Sequence, residues 1–162
     1  MPSHEQPALN DRLRAVLARD PVQIDALTLV RSLDLQDGWI GAGFVRDAIW
    51  DHLHGCPPSP PEGDMDVIYF DPRQTSPERD REIEDRLKHV SPSFDWSVKN
   101  QARMHHRNTD PPYKSVADAM QFWPETATAV STRLTASGTL DICAPFGLCD
   151  LFDLVLRPTP KF

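Results

Sequence analysis

The sequence has no apolar stretch approaching the roughly 20 residues needed to cross a bilayer. Its opening segment, MPSHEQPALNDRLRAV, holds no apolar run of signal-peptide length. A soluble, cytoplasmic chain with no membrane partner is the expectation. Cysteine is scarce: Cys56, Cys143 and Cys149 form an odd set with no CxxC pair. That excludes a disulfide framework and fits a reducing compartment. Positive charge is also short, with 17 Lys and Arg against 24 Asp and Glu and a formal net charge of −7. A protein that tracks nucleic acid needs a basic footprint for the phosphate backbone, so extended nucleic-acid binding is not expected. No internal repeat is present, which excludes solenoid and array architectures.

Proline, by contrast, is plentiful at 16 residues, clustered in CPPSPPEG (56–63) and around DPPY (110–113), where it marks loops. A chain of 162 residues that is 40% hydrophobic can build one core without staples. We expect a single domain over 1–162, with N-terminal helices in 1–36 and a catalytic-type core in 37–162.

PALNDRLRAVLARD carries Leu13, Val16 and Leu17 at helical spacing. Asp20-Pro21 then starts a second helix, to about Arg31. A short strand is expected at 38–40, then a helix through GAGFVRDAIWDHLHG ended by Gly55. DMDVIYFD reads as a strand, REIEDRLKHV as a surface helix with Ile83, Leu87 and Val90 inward. FDWSVKN alternates, with Phe94, Trp96 and Val98 on one face. SVADAMQFW is a short helix, TATAVSTRL and TLDICAP form a hairpin, and the tail holds a short helix and a last strand. The order predicts an α+β or mixed α/β fold.

Chemistry concentrates at two places. Asp64 and Asp66, at i and i+2 of a strand, point to one face. Two carboxylates so close repel, which raises one pKa unless a cation lies between them. They are either solvated acids at a strand start or oxygen ligands for Mg²⁺, completed by waters and substrate phosphates. Upstream, Gly41 and Gly43 lie between a strand and a helix. They serve either as a tight turn or as a cradle whose backbone N–H groups bind phosphate. Arg46 is a phosphate contact or a partner of Asp47. A dinucleotide-binding fingerprint fails, because Arg46 stands where its third glycine belongs and the acids open their strand instead of ending it. His52, His54 and Cys56, and the pair His105 and His106, lack zinc-site spacing.

Together the glycine turn, its helix and the DxD strand resemble the nucleotidyltransferase superfamily typified by DNA polymerase beta and the tRNA CCA-adding enzymes. GAGFVRD is close to the GGxVRD form of the latter, with Ala42 in place of the pair's second glycine. VKNQARMH, FWPETATAVSTRL and APFGLCDLFDLVLRPTP are similar to a small bacterial nucleotidyltransferase-like family, over about Trp39 to Phe162. That family typically continues into a further helix rich in Arg, Lys and Trp.

The resemblance implies an α+β fold of the polymerase-beta type, a mixed central sheet flanked by helices. It implies nucleotidyl transfer from an NTP, with Mg²⁺ or Mn²⁺, to a small molecule, a protein side chain or an RNA end. Gly41, Ala42, Gly43 and Arg46 would bind the triphosphate, and Asp64 and Asp66 the metal. A third carboxylate is needed for metal binding and catalysis; Asp95 is the first candidate and Asp141 the second. Lys99, Arg103 and Arg107, four residues apart, would form a basic stripe if helical, with Lys99 and Arg103 toward the nucleotide. Arg133 is a further phosphate candidate. The alternative is an inactive nucleotide-binding module of the same fold.

Overall fold

The computed structural model describes residues 5–162, with side chains from Pro7 onward. It is a five-stranded mixed sheet flanked by helices. Two N-terminal helices, α1 (Glu5–Ala18) and α2 (Pro21–Ser32), precede the first strand, β1 (Trp39–Gly41). Asp20 caps α2 by accepting a bond from the Val22 N–H, with Pro21 in the first helical position, as its sequence predicts. Next come α3 (Gly43–Leu53), β2 (Asp64–Tyr69), α4 (Pro77–Val90) and β3 (Asp95–Asn100). Two short helices, α5 (Met104–Asn108) and α6 (Val116–Met120), lead to the hairpin β4 (Ser131–Leu134) and β5 (Leu140–Cys143), then α7 (Cys149–Phe152).

The strand order is β3-β2-β1-β4-β5. Strand β2 runs parallel to β3, joined through α4, and the remaining pairs are antiparallel. The antiparallel β1–β2 pair rules out a dinucleotide-binding βαβ unit, whose strands are parallel.

Alternation along the strands divides the sheet into two faces. One face carries Ile40, Met65, Val67, Tyr69, Trp96 and Val98. It packs against Leu13 and Leu17 of α1, Leu27 of α2, Ile49 of α3, Leu87 of α4 and Leu151 of α7 in the main core. Each such side chain, fully buried, contributes roughly 1.5–3 kcal/mol. The other face carries Trp39 and Gly41, Asp64, Asp66 and Ile68, and Ser97 and Lys99. Only its β1 side is covered, by Val116 and Met120 of α6 packed on Trp39 and Ile68. The rest stays open, and the site lies there.

Three expectations are corrected. Val90 is 60% exposed at the last position of α4, where the helix ends and no neighbouring element covers it. The tail forms no last strand; it makes an isolated bridge, Glu125 to Pro158. Lys99, Arg103 and Arg107 form no stripe, since Lys99 belongs to β3, Arg103 to the turn after it and Arg107 to α5.

Candidate active site

Register alone brings the two motifs together. Gly41 at the end of β1 pairs with Asp66 of β2, and Asp66 pairs with Ser97 of β3. The glycine turn, the DxD carboxylates and the polar face of β3 therefore line one cleft of about 1000 Å³. That is the upper end of the size usual for small-molecule sites, roughly 300–1,000 Å³. Ala42, Gly43, Arg46, Asp64, Asp66, Ser97 and Lys99 form its centre, and the proline-rich loop 56–63 forms much of one rim.

The turn divides its labour. Gly41 is a packing glycine: a Cβ there would stand 3.0 Å from the Ser131 Cβ and 3.3 Å from the Val130 carbonyl oxygen. Ala42 has φ 56° and ψ −127°, a region that glycine tolerates far better than alanine. Its N–H donates to Val130 O, and its carbonyl accepts from Val45 and Arg46. The N–H groups of Gly43 and Phe44 then have no acceptor among the described residues, and both residues line the cleft. Two free donors at the positive end of an 11-residue helix have the geometry to receive an anion.

Burial, then the neighbouring Asp64 carboxylate, push the Asp66 pKa up to about 6, against the opposing pull of the Lys99 ammonium. Lys99 Nζ donates to Ser97 Oγ at 3.3 Å. Arg46 is paired with its neighbour, Nε donating to Asp47 Oδ1 at 2.9 Å, and the residue lines the cleft.

Residues 28–162 match the family model described as Nucleotidyltransferase. The chain belongs to this nucleotidyltransferase family. It is also similar to a protein whose NMR structure is described as revealing a CCA-adding enzyme head domain. Identity is 37%, over 94% of this chain and 80% of that one, with a TM-score of 0.83. Weaker likenesses are to a tRNA-processing enzyme in an apo form (19% identity, TM-score 0.49, covering 82% of this chain and 36% of that one). A tRNA-processing enzyme with CTP gives 20% identity and a TM-score of 0.47, over 82% and 35% of the two chains. This chain therefore spans about a third of the length of those enzymes. No curated protein matches the sequence.

In this nucleotidyltransferase-family chain, Asp95 is exposed at the first position of β3. It is in register with Asp64 but does not line the cleft. Asp141 lies on β5 and accepts from Arg133 Nε at 3.1 Å. Arg133 is thereby engaged away from the cleft, over the Trp39 ring. Among the described residues, no three acidic, histidine or cysteine side chains gather as a metal cluster. The donor set present still suits a hard cation: two carboxylates on one face, one of them raised in pKa by burial and by the other's charge.

Arg103 is turned away from the cleft. Its Nη2 is bound to the buried Asp80, which also accepts from the Tyr69 hydroxyl and from Asn100 N at 3.0 Å. Burial and the Asp80 bond drive the Tyr69 hydroxyl pKa well upward. His52 meets Arg19 at 3.0 Å, and His54 meets Trp50 O at 2.7 Å, consistent with structural histidines.

Reasoning from sequence gave no site role to Asp47, Asp51, Gln101, Met104 and Trp123, all of which line the cleft. The strings VKNQARMH and FWPETATAVSTRL contained the last three, but no spacing rule relates them to Asp66. Among the described residues, no helix is long and apolar enough to cross a membrane.

Proposed function

We propose that this chain is a metal-dependent nucleotidyltransferase that moves a nucleotidyl group from an NTP to an acceptor hydroxyl and releases pyrophosphate. The observation that carries this reading is the register of Gly41 with Asp66. It sets two free helix-start donors beside two carboxylates in one cleft. Asp64 and Asp66 would hold Mg²⁺ or Mn²⁺, with Asp95 beside Asp64 as the outermost acid. Bound there, the ion would activate the acceptor oxygen and neutralise charge on the leaving pyrophosphate.

The chain's own residues do the rest. Gly43 and Phe44 N–H groups bind triphosphate oxygens, and the Ala42 turn aims them. Arg46 and Lys99 add positive charge where phosphate charge accumulates. Asp66 enters the reaction deprotonated, which the ion and Lys99 both favour. The acceptor hydroxyl releases its proton to solvent, and its oxygen forms a bond to the α-phosphorus as the bond to the pyrophosphate oxygen breaks. The acceptor is a small molecule, a protein side chain or an RNA end; the protein similar to the CCA-adding head domain favours the RNA end, and the net charge of −7 disfavours a long RNA track. A soluble, cytoplasmic enzyme of one domain is the matching proposal for its setting.

The position of Asp95 outside the cleft favours a second reading, a nucleotide-binding module without turnover. Titration calorimetry of ATP, CTP, GTP and UTP, with and without Mg²⁺, tests the first step. The native chain should bind at least one NTP in a Mg²⁺-dependent way that Asp64→Asn/Asp66→Asn loses. No binding by a folded native chain overturns both readings. Binding without pyrophosphate release, across acceptors of all three classes, selects the module.

A further inference from the structure

The cleft extends well beyond the triphosphate machinery, and its far end is built. Strand β3 continues past Lys99, with Gln101 N donating to Tyr69 O at 2.7 Å. The Gln101 side chain is only 5% exposed, yet it lines the cleft. Its one bond is long, from Nε2 to Lys99 O at 3.4 Å, so its amide is almost unspent among the described residues. Its Oε1 accepts no bond among the described residues and is not among the sealed, unpartnered polar atoms, so the amide opens onto the cleft.

Trp123 supplies the second observation. Of the four tryptophans, Trp39, Trp50 and Trp96 each donate their indole N–H within the protein, at 2.8, 2.9 and 3.0 Å. Trp123 has no acceptor for its indole N–H among the described residues, and it is the one of the four that lines the cleft. Its ring edge stands 3.4 Å from where a Gly41 Cβ would be, so it borders the glycine turn. The buried Met104 adds an apolar wall.

Distance along the strand fits a nucleoside. Ser97 is opposite Asp66, and Gln101 lies four residues further, roughly 13 Å at about 3.3 Å per residue. That exceeds a phosphate and matches a ribose and base beyond the reacting phosphorus. We propose that Gln101, Trp123 and Met104 form the nucleobase subsite of this cleft. The Gln101 amide reads a donor–acceptor pair on the base edge, the Trp123 N–H gives a further donor, and Met104 and the indole cover the ring. This rests on the nucleotidyltransferase reading and adds to it which residues hold the base.

The test compares ligands with and without a base. Mg²⁺ with inorganic tripolyphosphate, and Mg²⁺ with each of the four NTPs, are titrated into the native chain, Gln101→Met and Trp123→Phe. Both substitutions keep bulk and remove a polar group; thermal melts check that each variant is folded. The native chain should bind its best NTP at least tenfold tighter than tripolyphosphate. Each variant should lower that NTP affinity about tenfold, and Gln101→Met, far along the strand from the glycine turn, should leave tripolyphosphate binding unchanged. Equal native affinity for NTP and tripolyphosphate, unchanged NTP affinity in the variants, or an equal loss of both ligands in Gln101→Met overturns the subsite while the triphosphate reading stands. Failure of both ligands to bind the native chain overturns the two together.

Discussion

Ala42 stores strain. An alanine at φ 56° is held there by Val130, which accepts its N–H, and by the first turn of α3 hanging from its carbonyl. Ala42→Gly should therefore stabilise the fold by about 1 kcal/mol, strain relief outweighing the extra unfolded-state entropy of glycine; urea unfolding measures it. Gly41→Ala should act oppositely. Its new Cβ meets backbone and the Ser131 Cβ, neither of which can swing aside, so a loss of roughly 1–3 kcal/mol is expected in the same measurement. Asp66 is strained electrostatically. The folded chain holds its proton to about pH 6, whereas the ordinary value is 3.8. Stability from that proton is full below the ordinary value and is lost as the pH rises through 6. Asp66→Asn should accordingly be more stable than the metal-free native chain at pH 8, and the gain should vanish at pH 4. Mg²⁺ should stabilise the native chain at pH 8 and leave Asp66→Asn unmoved. The proximity of Asp64 to Asp66 was legible in the sequence because a strand's period of two depends on nothing outside the strand. The binding of Arg103 to Asp80 was not, since it joins two elements 23 residues apart.

At the scale of elements, Asp80 ties α4 to the ends of β2 and β3, taking bonds from Tyr69, Asn100 and Arg103. Those strand ends carry Lys99 and Gln101 into the cleft. Asp80→Ala leaves a buried tyrosine hydroxyl and a partly buried guanidinium without their acceptor. The expected cost is about 3 kcal/mol, read as a fall in Tm of roughly 6–12 °C. Strand periodicity and caps made β2, β3, α2 and the β4–β5 hairpin legible, because alternation, the Asp20-Pro21 pair and a short Gly-containing turn are local signals. The tail was misread as a strand because its apolar residues Leu154, Leu156 and Phe162 stay exposed, and polar contacts hold it instead. Thr159 donates to Trp123 O and Lys161 pairs with the buried Asp110 at 2.7 Å, so the tail straps the Trp123 segment and α5. Burial raises the Asp110 carboxyl, but bonds from Lys161 and Tyr113 outweigh it and hold the group below the usual carboxylate range.

The whole molecule poses an electrostatic problem that its composition already announced. An acidic chain is proposed to bind a polyanion, and the cleft does not escape the global sign: Asp47, Asp51, Glu62, Asp64 and Asp66 face Arg46 and Lys99. Charge counting from sequence disfavoured a nucleic-acid track, yet it could not place five carboxylates around one cleft, since they come from a helix, a loop and a strand. The helix-start donors and two cations are outnumbered by the carboxylates, so on the proposed reading a divalent ion would be needed for affinity before it is needed for chemistry. NTP binding should therefore be undetectable by calorimetry in EDTA. Raising monovalent salt in EDTA should leave binding undetectable or let weak binding appear, because salt there screens repulsion. With Mg²⁺ the dependence should invert, affinity falling as salt rises. Replacing Asp47 and Asp51, which lie outside the DxD pair, by asparagine should let NTP bind measurably without the ion. A native chain that binds NTP equally well in EDTA and in Mg²⁺ would show that the backbone donors, Arg46 and Lys99 suffice, and would separate the cradle from the carboxylates as independent devices.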